Sequence, residues 1–145
     1  MPNRIGAGNY LLVLSSGAIA WALALLYTCQ LVADGRLAFE RAGTVAIVLN
    51  VLFGLLYSIM TPGRFRDLDF PRWMTHFTPL LLVSVIMAPL LLFYRSDRWD
   101  NSYGPPAKAS GLLKKLLAIG LFVVAVPLTH QAMLTYLQMD QALRP

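Results

Sequence analysis

His76 and His130 are the two imidazoles of the chain, and each lies within a long apolar run. Imidazole nitrogens on neighbouring membrane helices can ligate a b-type haem axially or contact a quinone headgroup. Suppose the two runs pack antiparallel with Arg95 and Lys115 level at one face. The helical rise of about 1.5 Å per residue then brings His76 and His130 to the same side, about 6 Å apart in depth. The structural alternative makes His76 an interfacial polar residue and has His130 hydrogen-bond across a bundle near Pro127.

Other reactive groups are sparse. Asp67 with Asp69, and Asp97 with Asp100, are spaced closely enough to share a divalent cation, but arginines interleave both pairs and favour salt-bridged loops. Cys29 is the single cysteine, so an intrachain disulfide is excluded and thiol redox chemistry has no resolving partner. There is no Gly-rich phosphate loop, no His-Glu-x-x-His and no Gly-x-Ser-x-Gly nucleophile elbow. The expectation is a protein that is not an enzyme, with no metal and no resident cofactor unless the histidine pair holds one.

The elements that must position these groups follow from charge. The twelve basic and seven acidic residues all fall outside four stretches, Ile5 to Ala33, Ala42 to Gly63, Trp73 to Tyr94 and Leu116 to Met139. Each is longer than the roughly 20 residues a helix needs to cross a hydrocarbon core. The expected fold is all-α, an integral membrane four-helix bundle of two helical hairpins with short loops. It forms a single domain over 1–145, with helices at about 10–33, 43–61, 75–94 and 112–137. A hydrophobic fraction of 57% against 13% charged residues requires lipid as solvent. The net charge of +5 is spread over every loop, which fits headgroups and topology better than nucleic acid. The first apolar run is about twice as long as a signal-peptide core and is expected to be a retained helix.

Small residues recur along two of these segments. Ser16, Ala20 and Ala24 recur every fourth residue in the first, and Ala46, Asn50, Gly54 and Ser58 in the second, a spacing that lets another helix approach closely. Thr61-Pro62-Gly63 is expected to stop the second helix, and Arg64 to Trp73 to lie along the headgroup layer as an amphipathic loop. Pro89 and Pro127 are interior prolines expected to kink the third and fourth helices. Asn50 either bonds to a neighbouring helix or lines a polar path with Ser84 and Ser16.

No Asp, Glu, Lys or Arg sits at membrane depth, which weighs against a proton-coupled antiporter. Four crossings would put both termini on one side, with five Lys or Arg there and seven opposite, too even to set orientation. Asn101-Ser102-Tyr103-Gly104-Pro105-Pro106 resembles the Asn-x-Tyr-Gly-x-x-Pro-like tail of a family of small bacterial inner-membrane proteins. The arginine-rich and His-Asp motifs of that family are absent, and a spanning helix follows where its members end, so the resemblance carries over no site. The functional expectation is a non-catalytic accessory, assembly or structural subunit in a membrane, most simply the bacterial inner membrane. Its partners would be the lipid bilayer and another membrane protein or copies of itself. The alternative is a small oligomeric carrier or channel lined by Asn50, Ser84, Gln30 and His130.

Overall fold

The computed structural model describes residues 4–71, 73–74, 91, 94, 99–108 and 110–143. Among them lie three helices, α1 (Ala7–Ala33), α2 (Phe39–Asp67) and α3 (Leu112–Leu143), and no strand. All three are long and apolar enough to cross a membrane, which makes this a multi-pass, all-helical membrane protein. The expected count of four is not matched. Of the third expected span, 75–94, only Leu91 and Tyr94 are described, and the fourth expected span is α3.

α1 ends as its sequence directs. Gly35 takes a left-handed φ of 69°, and the N–H groups of Gly35 and Arg36 bond to the carbonyls of Val32 and Leu31, closing the last turn. A short link leads into α2, which therefore runs back alongside α1.

α2 does not stop at Pro62. It continues to Asp67 with Pro62 inside it, so Arg64 to Asp67 form a helical turn and not a headgroup-layer loop. Proline removes one N–H and leaves the Ser58 carbonyl without its helical donor. That cost is offset by tertiary contacts of the added turn. Phe65 is buried with Tyr10 and Leu91, and the carbonyl of Gly63 accepts the N–H of Ile5 at 2.9 Å.

The direction of α3 is the main departure from the expected topology. A Cβ placed on Gly8, at the start of α1, would lie 2.8 Å from the Ser110 hydroxyl and 3.7 Å from the Lys115 side chain, at the start of α3. Further along, Ala22 and Leu25 share a cluster with Leu128, Ala132 and Tyr136. α1 and α3 are therefore parallel, with α2 antiparallel to both. The N-terminal and C-terminal ends of the described chain lie at opposite ends of the bundle, not at the same end. Met74 and Leu91 pack in one cluster, so the chain is at the same end of the bundle before and after 75–90.

α1 is central and packs against both other helices, most extensively against α3. Its buried small residues are Ser15, Ala22 and Cys29, seven apart, and those of α3 are Ala118, Ala125 and Ala132, also seven apart. Every seventh residue returns to the same face when two helices wind around each other at a shallow angle. In lipid, where apolar side chains gain little by leaving their solvent, close backbone approach over small residues supplies the attraction.

Candidate functional site: a buried arginine–aspartate node

At the end of the bundle where α1 and α3 begin and α2 finishes, two guanidinium groups converge on one carboxylate. Arg64 and Asp67 sit one turn apart on α2, and Arg64 Nη1 donates to Asp67 Oδ2. The other oxygen, Oδ1, accepts from Arg4 Nη2 at 3.4 Å. The side chains of Arg4, Arg64 and Asp67 are all 1% exposed or less. Buried charges are tolerated when paired and hydrogen-bonded, and here main-chain carbonyls take further guanidinium donors of both arginines. Arg64 Nε reaches the carbonyl of Leu91 at 2.8 Å, and Arg4 Nη1 donates to the carbonyls of Gly104 at 2.8 Å and Trp99 at 3.1 Å.

The turn Asn101–Gly104 is built to receive Arg4. Asn101 and Gly104 exchange backbone hydrogen bonds, and Gly104 has a φ of 107° that a side chain would strain. Asn101 Nδ2 bonds to the Arg66 carbonyl at 2.8 Å, and the Tyr103 hydroxyl bonds to the Phe70 carbonyl at 2.7 Å. The turn thereby caps the end of α2. Phe70 stands between Phe65 and Tyr94, with ring centroids 5.6 and 6.2 Å away, and closes the node from the side. Beneath it the Tyr10 hydroxyl meets Thr61 Oγ1 at 3.2 Å.

Several polar groups deeper in the bundle bond to their own helices. Asn50 Nδ2 donates to the Ala46 carbonyl at 2.8 Å, Thr28 to Ala24 at 2.8 Å, Ser16 to Leu12 at 2.8 Å and Thr129 to Ala125 at 2.8 Å. Such back-bonding satisfies the side chain without a neighbouring helix. Asn50, Gln30 and His130 are each exposed, on three different helices, and Ser84 lies outside the described residues.

Comparison with protein families, curated proteins and solved structures found no match. The chemistry is therefore read from the geometry alone.

The residues singled out by spacing fall in several places. Ala46 is buried against α1, while Asn50 and Gly54 are exposed and Ser58 is half-buried. Ser16 and Ala20 are exposed and Ala24 is half-buried, because the buried face of α1 follows the seven-residue repeat. Ala20 borders an apolar cavity of about 220 Å³ between α1 and α2. Pro127 is exposed within the helical span of α3. His76, Ser84 and Pro89 lie outside the described residues. His130 is eighteen residues beyond Leu112, about 27 Å along α3 from the node end. The expected histidine pair depends on His76 and so falls outside the described residues.

Of the carboxylate pairs, Asp67 is engaged by the two arginines and Asp69 Oδ1 accepts the Ser102 N–H at 3.2 Å. Asp97 is outside the described residues. Among the described residues no three His, Cys, Asp or Glu side chains come close enough to hold a metal.

Sequence reasoning missed the node. Its signals were present in Arg64 and Asp67 at helical i, i+3 spacing and in the Asn-x-x-Gly turn, but the proline before them reads as a helix end.

Proposed function

We propose that this protein is a non-catalytic accessory, assembly or structural subunit that packs in the membrane against another membrane protein or further copies of itself. The observation that carries this reading is the outward face of α2. Asn50 and Gly54 are exposed there beside Ile47, Val51 and Leu55, and a Cβ added at Gly54 would meet nothing within 4 Å among the described residues. A small residue facing open space on a spanning helix offers a close seat to another helix. The bonding of Asn50, Thr28 and Thr129 to their own helices supports the same reading, since it satisfies these side chains without a solute.

Parallel α1 and α3 change the charge balance across the membrane. Of the described basic residues, Arg4, Arg64, Arg66, Lys108, Lys114 and Lys115 belong to the node end, and only Arg36 and Arg41 to the other. Positive residues are retained on the cytoplasmic side. The node end therefore faces the cytoplasm and the C-terminal end of α3 faces away from it. All-helical spans fit a bacterial inner membrane, since outer membranes carry closed β-barrels.

Extraction from native membranes in mild detergent, followed by mass spectrometry of the intact assembly, tests the proposal. A partner or homo-oligomer of fixed stoichiometry, lost in Gly54→Leu with the fold retained, is the expected result. Selective solute flux through purified monomers in vesicles would overturn it.

A further inference from the structure

Beside the node lies a cavity of about 650 Å³ whose lining includes Arg4, Ile5, Ser58, Ile59, Pro62 and Arg66. We propose that this cavity holds an anionic phospholipid, with its phosphate at Arg66 and an acyl chain running along Ile59 and Ile5.

The layout matches such a ligand from end to end. Ser58 and Arg66 are eight residues apart on α2, about 12 Å along its axis, so the cavity passes from membrane depth to the bundle end. Its deeper wall is apolar and open to the surroundings, since Ile59 is 67% exposed. Its outer wall carries the Arg66 guanidinium, half-buried, with no ion pair among the described residues. The Arg66 carbonyl is held by Asn101, which fixes the backbone from which the guanidinium extends. Arg4, also in the lining, is held by Asp67 and by main-chain carbonyls, so among the described residues Arg66 is the cation left to meet a ligand there. A guanidinium offers a planar fork of donors matched to phosphate oxygens. In the orientation proposed above, which rests on the six-to-two excess among the described basic residues, this end lies in the cytoplasmic leaflet, where anionic headgroups collect.

The phosphate could also belong to a soluble ion, and the experiment separates the two. The full-length protein is delipidated in neutral detergent, and binding of phosphatidylglycerol, phosphatidylcholine and inorganic phosphate is followed by native mass spectrometry. Phosphatidylglycerol is expected to bind in preference to phosphatidylcholine, with no competition from inorganic phosphate. Arg66→Gln should weaken phosphatidylglycerol binding about fivefold, the value of one arginine at a charged headgroup layer. Ser58→Trp, which fills the cavity and keeps every charge, should weaken it as well, whereas Lys114→Gln at the same end should not. Equal binding of the two lipids, full competition by phosphate, or equal losses in Arg66→Gln and Lys114→Gln would each overturn the proposal. If Arg66→Gln loses its fold, Ser58→Trp decides: unchanged phosphatidylglycerol binding in that variant overturns the proposal. The subunit reading stands or falls separately, because Gly54→Leu leaves this cavity intact.

Discussion

Arg64 and Asp67, one helical turn apart, form an ion pair in which both side chains are fully buried. Because Arg64 also reaches the Leu91 carbonyl, 27 residues away, this pair ties the end of α2 to the chain that leads into α3. Removing one member leaves a buried charge without its partner. Asp67→Ala should therefore cost about 3–5 kcal/mol. Thermal unfolding in detergent checks this, and a change within error of zero would show that water reaches the node.

Gly104 holds the turn that accepts Arg4, at a φ of 107°. Gly104→Ala should cost about 1–3 kcal/mol through backbone strain. The N-terminal segment should then become susceptible to protease ahead of the helices, as limited proteolysis of the purified protein would show. Unaltered protection would mean that Arg4 is held by Asp67 alone.

The α1–α3 seam gives two changes of opposite sign. Ser15 Oγ is buried without a hydrogen-bond partner among the described residues, so Ser15→Ala removes an unsatisfied group and should raise stability by about 1 kcal/mol. Ala125 is 4% exposed on the facing stripe, and Ala125→Leu should lower stability by about 1–3 kcal/mol by forcing the helices apart. Unfolding midpoints of the two variants measured side by side would test both signs.

Orientation is the fourth expected outcome. A reporter fused before Arg4 should be cytoplasmic, and one fused after Leu143 should lie across the membrane. An alkaline phosphatase fusion at the C-terminal end is expected to be active, and a fluorescent protein there that needs the cytoplasm to mature is expected to be dark. Both termini on one side would contradict the parallel course of α1 and α3.

Much of the fold was legible residue by residue, and much of the candidate site was not. The spanning segments could be read because each apolar side chain reports independently on its compatibility with lipid. Gly35 could be read as a helix end because its φ of 69° is a local property. The fate of Pro62 could not, since its local preference to end a helix was outweighed by contacts of Arg64, Phe65 and Asp67 with distant chain. The packing stripe was misplaced for a related reason. Spacings of four and seven both return to one side of a helix, and only the parallel partner selected Ser15, Ala22 and Cys29 over Ser16, Ala20 and Ala24.

By itself, the sequence determined that this protein lives in a membrane, where its helices have their apolar lengths, and that no Asp, Glu, Lys or Arg lies within those apolar lengths. Tertiary structure decided the direction of α3, the burial of Arg4, Arg64 and Asp67, and hence which end collects the positive charge. Hydropathy measures how each segment partitions between water and lipid, and that energy is the same whichever way the segment runs. Direction is set by where the chain returns. Here the bonds from Arg64 and Arg4 to carbonyls 27 and 100 residues away bring the start of α3 back to the start of α1.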